Sequence, residues 1–137
     1  FGWGGFIRED YAYLESLGLN DHFLQLEATN EPGSWMKSVD VVAMPSRWEA
    51  CGLLGMEALC AGAPIVGTTC IGLREVLAGS PAPMVKPGDV RGFAEALLET
   101  AAPCSRAHFV EYQPIAMERF SVGRPAGELR ALYDEFA

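Results

Sequence analysis

Pro45-Ser-Arg-Trp-Glu-Ala-Cys-Gly-Leu-Leu-Gly-Met-Glu-Ala-Leu-Cys-Ala-Gly-Ala-Pro-Ile-Val-Gly-Thr68 holds most of what this 137-residue sequence says about its fold. It is preceded by Val39-Asp-Val-Val-Ala-Met44, five apolar residues and one aspartate, ended by Pro45. Such a continuous apolar run suits a strand covered on both faces. Residues 53–61 read as a buried helix and residues 64–68 as a second strand. The unit is therefore strand, loop, helix, strand, which predicts a parallel sheet crossed by a helix.

The same alternation continues on both sides. Upstream, Gly2, Gly4 and Gly5 predict an opening turn. Residues 7–17 predict a helix with Ile7, Tyr11, Leu14 and Leu17 on one face, closed by Gly18. A short strand is expected at 22–26, and a helical turn at 34–38 with Trp35 and Met36 facing inward. Downstream, 72–77 predicts a short helix and 82–86 a last strand. Asp89 is a good N-cap for a helix through Phe93, Ala96, Leu97 and Thr100. Two further helices are expected at about 104–118 and 125–136, the latter packed through Leu129, Leu132, Tyr133 and Phe136. The fold class is α/β, a Rossmann-like parallel sheet flanked by helices, in one domain over 1–137.

Half the residues are hydrophobic and a fifth are charged, enough apolar material for a core and too much for a disordered chain. Ten Lys and Arg against eighteen Asp and Glu give a net charge of −8. That balance disfavours nucleic-acid or anionic-membrane binding, which need a positive field. Residues 41–88, with three bases and three acids, are the balanced part, and an anionic ligand is expected there. Cys51, Cys60, Cys70 and Cys104 have spacings that fit no metal site, and no metal is expected; they read as buried thiols in a reducing, cytoplasmic setting. Glycines and Pro64 break the longest uncharged run, so no transmembrane helix is expected. The first residue is Phe1, not Met, which leads us to expect a piece of a longer chain. Trp35 and Trp48 read as core. The opening Gly2-Trp-Gly-Gly-Phe-Ile7 puts Ile7 where a dinucleotide fingerprint needs its third glycine, and no hydrolase elbow or phosphate-loop motif occurs.

The chemistry centres on the quoted stretch. Of the 24 residues between Glu49 and Arg74, Glu57 alone is charged. A carboxylate in an apolar helix is costly if buried unpaired, so it needs a partner such as Arg74 or an opening to a cleft. The loop 45–51 falls at the carboxyl end of a strand, where open α/β sheets bind ligands. Free amides near Gly52, Leu53 and Leu54 can donate to phosphate oxygens, and carboxylates can accept from sugar hydroxyls. Diphosphate flanked by diols fits this set better than a bare anion. Ser46 is either a structural hydrogen-bonding group at the strand end or a ligand contact.

The stretch resembles the E-x7-E signature of retaining glycosyltransferases of the GT-B architecture, the group 1 or family 4-like clan, with Glu49 and Glu57 at the two glutamates. Ser38–Ser46, Glu57–Val66, Gly72-Leu-Arg-Glu-Val76, Val85-Lys-Pro-Gly-Asp89 and Arg119-Phe-Ser121 resemble further landmarks, covering roughly 1–135. The resemblance implies the C-terminal donor-binding half of such an enzyme. Its ligand would be a nucleotide diphosphate sugar such as a UDP- or GDP-sugar, a substrate used with no cofactor and usually no metal. It implies Glu49 as the catalytic-site residue touching the donor sugar, Glu57 at the ribose, and Gly52 and Leu53 at the diphosphate; Ser46 and Arg74 are candidate further donor contacts, with a local cap and ion pair as the other reading of Arg74. The Arg/Lys pair that neutralises the diphosphate in the family is expected to lie outside this sequence. The acceptor-binding domain is expected to be absent too, with weak activity at most and possible self-association through uncovered apolar surface. The alternatives are a nucleotide-sugar epimerase of the same plan and a non-catalytic module.

Overall fold

A computed structural model describes residues 5–136. The opening turn at Gly2 and Gly4, and the inward side chain expected of Ile7, lie outside what is described. The chain forms two compact units, Phe1–Pro32 and Gly33–Ala137.

In the first unit, α1 spans Gly5–Ser16. The chain then turns at Gly18, whose φ is +68° and whose N–H donates to the Glu15 carbonyl. The strand expected at 22–26 is not formed. Asn20–His22 is instead a 3-10 turn, with the His22 N–H donating to the Leu19 carbonyl, and Phe23 and Leu24 are exposed. Apolar residues favour a strand only where a neighbouring ladder accepts it, and here none does.

The second unit holds a three-stranded parallel sheet in the order β1-β2-β3, with β1 at Val42–Met44, β2 at Ile65–Thr68 and β3 at Met84–Val85. β1 is three residues shorter at its start than the apolar run predicts. The Val39 carbonyl accepts from the Arg106 guanidinium instead of joining the ladder. β3 is held to two residues between Pro83 and Lys86. β2 lies at the centre and every one of its residues is buried.

Helices supply the crossovers: α2 (Pro32–Ser38) leads in, α3 (Leu53–Cys60) joins β1 to β2, and α4 (Leu73–Leu77) joins β2 to β3. α5 (Val90–Thr100), α6 (Ser105–Arg119) and α7 (Gly123–Glu135) follow. Asp89 caps α5 as expected, its carboxylate accepting from the Gly92 N–H at 2.9 Å. The core gathers Leu59, Ile65, Leu73, Leu77 and Phe109 around the sheet, with Met36 facing in. α6 packs against α3, and Gln113 Nε2 donates to the Cys60 carbonyl at 2.8 Å. These are the layers of a Rossmann-like half.

Several burial expectations are corrected. α3 is half-exposed, not buried: Gly55, Ala58 and Leu59 face the core while Leu53 and Leu54 face out. Trp48 is 70% exposed and Trp35 41%, so neither is core. α7 buries no residue; Leu129, Leu132, Tyr133 and Phe136 are all exposed. Of the cysteines only Cys70 is fully buried; Cys60 is half-buried, and Cys51 and Cys104 are exposed. No helix among the described residues is long and apolar enough to cross a membrane.

Candidate functional site

The loop between β1 and α3 leaves the carboxyl end of the sheet, and two glycine contacts fix its path. Gly52, the N-cap of α3, has φ +63°, a left-handed conformation that a side chain disfavours. Gly72, the N-cap of α4, has φ +82°, and a β-carbon there would stand 2.5 Å from the Glu49 carbonyl oxygen and 2.9 Å from that of Ala50. The start of α4 is therefore in contact with the backbone of the loop itself.

Side chains complete the anchoring. Buried Thr68, the last residue of β2, donates from Oγ1 to the Ser46 carbonyl at 2.5 Å. Ser46 Oγ in turn donates to Glu49 Oε1 at 2.7 Å. Half-buried Glu49 is thus held at one oxygen, while a carboxylate offers about four acceptor positions, leaving most of them for a ligand. The serine thus makes a structural hydrogen bond and also borders a cavity at the start of α3.

Ser46, Trp48, Glu49, Gly52, Leu53 and Leu54 line one cavity of about 430 Å³. The intrahelical bonds of α3 begin with the Gly55 N–H donating to the Gly52 carbonyl at 2.9 Å. Helix geometry leaves the amides before it without partners inside the helix. One wall thus offers a carboxylate and the other N–H donors, the combination suited to hydroxyls beside a phosphate.

Glu57 is exposed and does not line this cavity. The opening to this cleft that the sequence led us to expect of Glu57 is not formed at this cavity, because the face of α3 that carries it is the solvent face. It stands four residues after Leu53, on the same helical face and one turn along from the cavity wall. Arg74 is exposed on α4, lines no wall of this cavity, and makes no ion pair with Glu57 or Glu75 among the described residues.

Arg47 turns to the other side of the loop. With Pro45, Thr68, Lys86, Asp89 and Phe93 it borders a second hollow of about 250 Å³, beside the carboxyl ends of β2 and β3. Lys86 and Thr68 were not singled out from the sequence. The first sits in the Lys-Pro-Gly-Asp turn that announces α5, and the second is the polar end of an otherwise apolar strand.

A profile of the family described as "Glycosyl transferases group 1" matches residues 2–102. The chain belongs to that family. Among relatives, a D-inositol 3-phosphate glycosyltransferase of Corynebacterium urealyticum is 34% identical over 123 residues, covering 87% of this chain and 29% of the relative. Another of that name, from Corynebacterium jeikeium, is 32% identical over 139 residues, covering 98% of this chain and 33% of the relative. The lipopolysaccharide core biosynthesis mannosyltransferase LpsB of Rhizobium meliloti is 38% identical over 63 residues, 45% of this chain and 18% of the relative. The chain thus spans about a third or less of the length of these relatives.

Proposed function

We propose that this chain is the donor-binding part of a retaining glycosyltransferase that moves a sugar from a nucleoside diphosphate sugar to an acceptor hydroxyl. The observation that carries the reading is the Ser46–Glu49 hydrogen bond, which presents a fixed carboxylate at the mouth of α3. In this reading Glu49 accepts from hydroxyls of the donor sugar. The Gly52 and Leu53 amides face the diphosphate, where the helix dipole adds a partial positive charge. Glu57, exposed and in no ion pair among the described residues, accepts from the ribose diol one turn along α3.

During transfer the bond from the anomeric carbon to the diphosphate oxygen breaks while a bond to the acceptor oxygen forms on the same face. Amides aimed at the departing diphosphate stabilise the charge that develops there. We read the step as metal-independent. The relatives' names divide between an inositol phosphate and a lipopolysaccharide core, so the proposal stays with the donor half, and the acceptor belongs to another part of the enzyme.

Calorimetric titration of the chain with UDP and with GDP tests the reading. Saturable binding of either supports it. No heat and no thermal shift at millimolar nucleotide would overturn it in favour of a non-catalytic module.

A further inference from the structure

Arg119 is the last residue of α6, far along the chain from the Glu49 loop, yet it grips the element on which that loop rests. Its Nη1 donates to the Ala78 carbonyl at 2.7 Å, and its Nη2 donates to the Glu75 carbonyl. Both acceptors lie at the C-terminal end of α4, where backbone carbonyls otherwise lack partners. The guanidinium is held in turn: its carbon lies 4.9 Å from the Phe120 ring centroid, a cation–π contact, and Nη1 is 3.4 Å from the Tyr112 hydroxyl.

α4 has five residues, little more than one turn, so it moves as a unit. One end is tied to Arg119, and the other, Gly72, touches the carbonyls of Glu49 and Ala50. Between these ends the back of the loop faces a hollow of about 240 Å³ bordered by Ala50, Cys51, Met56, Gly72, Glu75 and Arg119. On this side the loop rests on α4 itself: besides Gly72, the buried Leu73 side chain stands 3.2 Å from where a β-carbon of Gly52 would be. The Thr68–Ser46 hydrogen bond holds the start of the loop, and α4 supports its second half.

We infer that Arg119 is a positioning residue for the Glu49 loop, acting through α4: the planar fork that holds two α4 carbonyls sets the height of Gly72 and so the placement of the Glu49 carboxylate. The structural part stands on these contacts alone. Its consequence for ligand binding rests on the donor reading above.

Hydrogen–deuterium exchange on the 137-residue chain, compared for native, Arg119→Gln and Arg119→Lys, tests the inference alongside UDP and GDP titration. Arg119→Gln is expected to speed exchange of the amides of 46–52 and 73–78 about tenfold, the scale of a lost charge-assisted hydrogen bond. The amides of α5 should keep their native rates, and nucleotide affinity should fall by a similar factor. Lysine keeps the charge but lacks the fork, so Arg119→Lys should restore the loop only in part. Unchanged exchange at 46–52, or acceleration spread evenly over α3, α5 and β2, overturns the inference. If Arg119→Gln does not fold, native against Arg119→Lys is read by the same criteria. A native chain that binds neither nucleotide, with a loop that still responds to Arg119, would sink the donor reading and leave the positioning role standing.

Discussion

Gly72 meets the carbonyl oxygen of Glu49 so closely that a β-carbon at Gly72 would come within 2.5 Å of it. Two loops that leave neighbouring parallel strands are thereby locked together at the carboxyl edge of the sheet. The contact is backbone against backbone, so neither side can rotate away.

Gly72→Ala should therefore cost more than left-handed strain alone. Gly79 is the internal control: its φ is +75° and nothing lies within 4 Å of a β-carbon there. Gly79→Ala should destabilise by about 1–2 kcal/mol, the cost of the backbone region. Urea unfolding should place Gly72→Ala clearly beyond that value, with nucleotide affinity lost as well. Equal costs at the two sites would show that the close contact carries no weight.

Ser46→Ala removes the donor that holds Glu49 Oε1. We expect a stability loss of about 1 kcal/mol, typical of a partly exposed hydrogen bond. Binding of an intact nucleotide sugar should weaken more than binding of UDP or GDP, because Glu49 is assigned to the sugar. Comparative titration with the sugar nucleotide and the free diphosphate measures the difference.

Glu57→Ala should leave the melting temperature nearly unchanged, since the side chain is exposed and makes no ion pair among the described residues. Nucleoside diphosphate affinity should fall by about 1.5–3 kcal/mol, the range for hydrogen bonds to a charged group. Unaltered affinity would remove Glu57 from the ribose.

The four thiols should separate by access. Cys51 and Cys104 are exposed and should react first with a maleimide, with Cys60 and Cys70 following only as the fold opens. Burial pushes the Cys60 thiol above its ordinary value of 9.0. A folded-state value raised above the unfolded one contributes stability that is complete below the unfolded value and is lost as pH rises through the folded one. Urea midpoints of the native chain should therefore fall as pH climbs past about 9, and Cys60→Ser should flatten part of that slope.

The centre of the fold was legible because its signals were local. The run 64–68 had no charge to place and became the buried middle strand, while Asp89 was readable as a cap from one residue type in one position. Misreadings arose where a distant group decides. No ladder accepts 22–26, and Arg106 takes the Val39 carbonyl, a contact 67 residues away along the chain. The site was half legible. Glu49, Ser46, Gly52 and Leu53 come together around one cavity, whereas the solvent face of Glu57 depends on which side of α3 meets α6. The role of Thr68 and Arg119 as anchors lies in tertiary contacts that no spacing encodes.

The loop divides its own sequence into a frozen part and a free part. Gly52, Gly72 and the Ser46–Thr68 tie define the main-chain path, while Arg47, Trp48 and Cys51 project from that path into solvent or open hollows. Substitutions at the three outward positions can be sampled with little penalty to folding. Divergence among descendants of this scaffold should accumulate there first, retuning what the crevice prefers while the carboxylate stays in place.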